Sequence, residues 1–155
     1  DFLHGLCEAG IGLAVFTSGT PHHIVRNFGG ALPELGMENA HLDKSKSDEE
    51  KLRDFEKRFA GVFGISKFTV VTSDDTEKHK PEPDSLHLAM SRLGVDSSKS
   101  VVLGDHKVDM QTGINAGVDM RIGVTHGFDD EETLKSHGAT HIANSLFDAN
   151  RYLQD

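Results

Sequence analysis

A chain of 155 residues with 36% apolar and 26% charged residues suits one soluble globular domain and not a disordered polymer. Its formal net charge of −9 excludes a general binder of nucleic acid or anionic membrane. No apolar run approaches the roughly 20 residues of a membrane helix, and Asp1-Phe2-Leu3-His4-Gly5-Leu6 lacks the basic start of a signal peptide. A single cysteine, Cys7, leaves no internal disulfide, so a cytoplasmic protein is expected.

Phe2 to Ala9 reads as a helix that stops at Gly10, and residues 12–17 read as a strand. Thr20 then caps a helix that starts at Pro21 and runs unevenly towards Leu35 through Gly29, Gly30 and Pro33. Residues 37–46 are polar and expected to loop. Ser47 and Glu50 have capping-box spacing, and Leu52, Phe55, Phe59 and Val62 follow at helical intervals. A strand at 68–72 and a polar loop lead to Pro81 and Pro83. The next helix buries Leu86, Ala89, Met90 and Leu93 and ends at Gly94. Then come a strand at 101–104, a helix from Val108 to Ala116 stopped by Gly117, and a strand at 120–124. A helix near 130–137, a short strand at 140–142 and a last helix capped by Ser145 and running to Leu153 close the chain. This alternation predicts an α/β fold with a parallel, Rossmann-like sheet and helices on both faces. The ten histidines show no ligand spacing, and His22-His23 point apart, so most are expected at the surface.

Three strand ends carry distinctive chemistry. Thr17-Ser18-Gly19-Thr20 joins hydroxyls to a helix N-terminus, which suits a phosphate and equally suits a plain N-cap. Lys80 lies among prolines that stiffen its backbone, as a phosphate-neutralising lysine or an ordinary surface residue. Gly104 ends an apolar strand, Asp105 follows it, and Asp109 falls one helical turn later on the same face. Two such carboxylates suit a hard cation such as Mg²⁺, and they also suit an ordinary acidic helix start.

Hydroxyl, then lysine, then Gly-Asp-x-x-x-Asp resembles the haloacid dehalogenase-like superfamily, and most of all its phosphoglycolate-phosphatase-like members. Lys80-Pro81-Glu82-Pro83-Asp84, Asn115-Ala116-Gly117-Val118, His126-Gly127 and Gly138-Ala139-Thr140-His141-Ile142-Ala143 resemble its conserved surroundings. The resemblance implies one HAD-like core over 1–155 and Mg²⁺-dependent hydrolysis of a small phosphorylated metabolite, with no nucleic acid or membrane partner. It implies that Thr17, Ser18 and Gly19 hold the phosphoryl group with Lys80. Asp105 would bind the metal directly, and Asp109 would bind it or orient its waters. Thr17, Lys80 and Asp105 form the catalytic set. His106 either shapes the site or is an exposed helix-start residue.

Two features depart from the family. The nucleophile motif Asp-x-Asp-Gly-Thr is absent, and with it the central strand and the cap. A partial, C-terminal piece is therefore expected, its sheet completed by an upstream segment or by another chain. Thr17 and Lys80 also stand 80 − 17 = 63 positions apart, with 37–62 as the extra segment, read as an insertion or a partner-facing helix. A response-regulator receiver has the acidic pair and lysine in the opposite order. A phosphomutase, a phosphonate hydrolase and a non-catalytic scaffold of the same fold remain alternatives.

Overall fold

The computed structural model describes residues 2–153. Helices and strands follow as α1 (Phe2–Glu8), β1 (Leu13–Phe16), α2 (Pro21–Ala31), α3 (Asp48–Phe63), β2 (Phe68–Val71) and α4 (Asp84–Leu93). They continue as β3 (Val101–Gly104), α5 (Lys107–Asn115), β4 (Met120–Val124), α6 (Glu131–Ser136), β5 (His141–Ala143) and α7 (Leu146–Ala149). All pairings among the described strands are parallel. Leu13, Val15, Phe68 and Val70 pack beneath α2 and α3 with Leu52, Phe55 and Phe59. On the opposite face Phe16 and Val102 meet Leu86, Met110 and Leu134, from α4, α5 and α6. Successive strand residues thus serve opposite layers, as the period-2 pleat requires.

Local chemistry sets the boundaries. The helix expected from Pro21 to Leu35 ends at Ala31, and Pro33 opens a separate 3-10 turn, Pro33–Leu35. Proline cannot donate an N–H to the preceding turn and its ring collides with it. The segment expected to loop holds another 3-10 turn, Ala40–Leu42. Ser47 and Glu50 cap α3 reciprocally, as their spacing predicts. Val62 is 48% exposed and Phe63 packs in its place. Either residue lies at an allowed helical spacing from Phe59, and the Phe63 ring reaches that of Phe59 at 4.7 Å. The last helix is shorter than expected and gives way to a 3-10 turn, Asn150–Tyr152. The stops expected at Gly10, Gly94 and Gly117 take left-handed backbone, at φ of 66°, 72° and 75°. The extra segment 37–62 takes part in the core, because α3 supplies Leu52, Phe55 and Phe59 to its larger cluster.

The sheet is in two pieces, β1–β2 and β3–β4–β5. Its four edges are treated differently. On the outer side of β2, the Val70 N–H donates to Glu56 Oε1 at 2.7 Å. The Val70 carbonyl accepts from Arg92 at 3.1 Å and Arg53 at 3.5 Å. On the outer side of β5, the Ile142 carbonyl accepts from Tyr152 Oη at 3.0 Å and Arg151 at 3.1 Å. Side chains therefore occupy both outer edges, a known way to block edge pairing. The inner edges differ. Leu13 and Thr17 donate backbone N–H groups towards β2, so alternation turns the backbone groups of Ala14 and Phe16 the other way. Among the described residues no side chain takes those groups. β1 is only half-buried throughout, and Val101 of β3 is 38% exposed.

Glu56 is the hub of the β2 edge, accepting from Arg53, Thr69 and Val70. Glu56→Ala leaves a backbone donor and two side-chain donors without their acceptor. It is expected to cost about 1–3 kcal/mol, read from the midpoint of urea unfolding.

Candidate active site

Lys80 is the centre of the site. Its ammonium donates to Asp109 Oδ1 at 2.8 Å and lies 4.1 Å from the centre of the Phe16 ring. Phe16 ends β1 and Asp109 lies in the first turn of α5, so one side chain spans the divide between the two half-sheets. Both partners are mostly buried, with the Lys80 and Asp109 side chains 16% and 11% exposed. The backbone behind Lys80 is fixed as well, since Asn115 Nδ2 donates to the Pro81 carbonyl at 2.9 Å. Sequence spacing alone does not show this pairing, which joins residues 29 positions apart.

Asp105 and Asp109 do not share a helix face. Asp105 lies in the turn before α5, and His106 is the N-cap. The expectation of one helical turn is corrected here because the helix starts two residues later than Asp105. Their association with the strand end comes instead from Gly104. A Cβ built on Gly104 would lie 2.4 Å from Asp109 Cβ and 2.6 Å from Asp109 Oδ2, so the acidic side chain rests on the bare glycine. Asp109 Oδ2 also accepts from the His106 N–H at 3.3 Å, closing a capping box in which His106 Nδ1 accepts from the Val108 N–H. His106 thus starts the helix as its N-cap, half-buried where an exposed residue was expected.

Asp105 is exposed and held by a loop that the sequence reading did not single out for a role, Thr125 to Asp130. Its Oδ2 accepts from the Phe128 N–H at 3.2 Å, and its carbonyl accepts from the Asp129 N–H at 2.9 Å. Asp129 returns the contact through Oδ2, which accepts from the Lys107 N–H at 2.7 Å. Gly127 approaches so closely that a Cβ there would lie 2.0 Å from Asp105 Oδ2. Beyond the loop, Asp130 caps α6, and hydrogen bonds from the Thr133 N–H and hydroxyl hold its carboxyl below the usual range. His126-Gly127 was visible in the sequence. Asp129 carried no signal, because its partners become neighbours only in the folded sheet.

The hydroxyl corner is internally bonded. Thr17 Oγ1 accepts from the Gly19 N–H at 3.0 Å, and the Gly19 carbonyl accepts from the Ser73 N–H at 3.0 Å. Gly19 therefore offers no spare N–H in this arrangement, while Ser18 is exposed. Thr20 caps α2 as expected, with His23 as its reciprocal partner.

The donor set bears on the cation. Asp105 has one carboxylate oxygen on Phe128 and, among the described residues, no partner for the other, so it suits a hard cation. Both oxygens of Asp109 are engaged, one by Lys80. Among the described residues no three His, Cys, Asp or Glu side chains already converge on one point. Asp105 therefore keeps an oxygen open beside the strand end, while Asp109 is committed to Lys80 and His106. Lys80→Met is expected to destabilise the fold by about 3 kcal/mol, because it leaves a buried carboxylate uncompensated. Adding Asp109→Asn keeps an acceptor for His106 and removes the charge. The double variant should regain most of the loss in chemical denaturation.

The hydroxyl, the lysine and the carboxylates stand at the carboxyl ends of parallel strands, where open α/β sheets place their ligands. Known proteins with related sequences and folds point the same way. The family model for haloacid dehalogenase-like hydrolases matches residues 48–122. The pyrophosphatase PpaX of Bacillus velezensis is 36% identical over 100 residues, covering 63% of this chain and 46% of the relative. The phosphoglycolate phosphatase of Salmonella typhi is 34% identical over 72 residues, covering 45% of this chain and 28% of the relative. A proposed phosphoglycolate phosphatase from Lactobacillus delbrueckii subsp. bulgaricus superposes with a TM-score of 0.68 at 25% identity, over 99% of this chain and 51% of that one. A proposed β-phosphoglucomutase from Thermotoga maritima shares the fold with a TM-score of 0.66, over 98% of this chain and 56% of that one. In sequence and in fold the chain is similar to haloacid dehalogenase-like hydrolases. It spans at most about half the length of the curated relatives it matches.

Proposed function

We propose that this chain supplies the phosphoryl-binding and acidic side of a Mg²⁺-dependent phosphatase acting on a small phosphate monoester. The observation that carries this reading is the Lys80 bridge. It sets a cation between the hydroxyl-bearing end of β1 and the acidic start of α5. Thr17 and Ser18 hold the transferring phosphoryl oxygens, with Gly19 shaping the turn beneath them. Lys80 offsets the negative charge that gathers there. Asp105 is the direct ligand for the cation, and Asp109 orients Lys80 and the cation's surroundings. Mg²⁺, when bound, lowers the repulsion between an anionic nucleophile and the phosphoryl group.

The nucleophile is a carboxylate on a strand that enters between β1 and β3. Support comes from the edges, since the outer ones are occupied by side chains and the inner ones are not. The strand comes from an upstream segment or from another chain. The nucleophile's oxygen bonds to phosphorus as the ester oxygen leaves, and water then cleaves the phospho-aspartyl bond. A second reading, a non-catalytic binding domain, draws on the completed Lys80–Asp109 pair and the absence of a converged ligand set among the described residues.

Turnover of a generic phosphate monoester separates the two. The complete polypeptide is expected to hydrolyse it only with Mg²⁺, and the 155-residue chain alone should show little or none. Asp105→Asn in the complete polypeptide is expected to lower kcat at least about 100-fold while the fold, followed by circular dichroism, is kept. Normal turnover in that folded variant would remove Asp105 from the reaction. Absence of turnover in the complete wild type would favour the binding domain.

A further inference from the structure

The loop that holds Asp105 carries a ring that the hydrolytic reading does not use. Phe128 is 77% exposed, more than any other large apolar side chain among the described residues. A single exposed phenyl ring is ordinarily unremarked. This one is distinguished by how firmly its backbone is held. Its own N–H is bonded to Asp105 Oδ2, the next N–H to the Asp105 carbonyl, and the Asp129 carboxylate to the Lys107 N–H. Gly127, just before it, is packed on Asp105 with no room for a side chain. One face of the ring lies against the His106 imidazole, with centroids 4.5 Å apart and planes at 34°. The high exposure leaves the other face bare. A ring with an anchored backbone, one covered face and one open face loses little freedom when a second flat group settles on it. Its N–H is bonded to Asp105, so on the phosphatase reading the ring stands next to the residue assigned to the cation.

We propose that Phe128, backed by His106, is a specificity-determining platform on which a flat aromatic leaving group of the phosphate ester stacks. The proposal rests on the phosphatase reading above and adds a substrate class to it. An aliphatic ester has no plane to lay on the ring and gains nothing from it.

The test uses the complete polypeptide with Mg²⁺ and compares phenyl phosphate with glycerol phosphate. Phe128→Ala is expected to lower the ratio of kcat/KM for phenyl phosphate to that for glycerol phosphate by about 2- to 10-fold. The loss should fall in KM, because stacking is equal in ground and transition states. Phe128→Tyr restores a ring and should restore the ratio. Phe128→Leu keeps bulk without a ring and should lose it, which covers a folding defect in the alanine variant. An unchanged ratio in both the Ala and Leu variants overturns the platform and leaves the phosphatase reading standing. No hydrolysis of either ester by the wild type overturns both.

Discussion

The ion pair between Lys80 and Asp109 is the constraint around which the remaining features arrange themselves. It has to reach from the segment before α4 to the first turn of α5, across the line where the sheet is divided. That reach is possible only because Gly104 has no side chain to hold Asp109 away from the strand end, and because Asn115 pins the backbone behind the lysine. Buried charges are tolerated only when paired and hydrogen-bonded. Asp109 satisfies this with Lys80 on one oxygen and the His106 N–H on the other. The bond from His106 also caps α5, so one carboxylate serves both the helix start and the charge pair.

Much of this was legible in the chain, and what was not has an identifiable reason. Apolar runs marked the five strands, and the order of hydroxyl, lysine and acidic pair pointed to the superfamily. Each run and each motif is a local signal, read within a few residues, and only their order spans the chain. Caps at Thr20, Ser47 and Ser145 were equally local and are present. The pairing of Lys80 with Asp109 and the hold of Asp129 on the Asp105 loop were invisible, because each joins segments more than twenty residues apart. Pro33 was seen to weaken its helix but not to end it, since propensity alone does not say where neighbouring packing stops compensating. Val62 and Phe63 were indistinguishable by spacing, and only the stack of aromatic rings decides between them.

Both the acidic turn and the hydroxyl corner are held by backbone groups. Asp105 rests on the amides of Phe128 and Asp129, and Gly19 is bonded to Thr17 on one side and Ser73 on the other. Such fixing removes rotational freedom before any ligand arrives. It also concentrates steric intolerance at Gly104 and Gly127, where neighbouring carboxylates occupy the space a methyl group would need.

The unequal treatment of the sheet's margins also governs how this molecule can assemble. With Val70 and Ile142 both sealed by side chains, lateral growth has no foothold at either flank. What remains is the inner margin, where among the described residues no side chain takes the backbone groups of Ala14 and Phe16. Backbone pairing is thereby confined to one side of each half-sheet, unlike an unguarded β-sheet, which can extend from both.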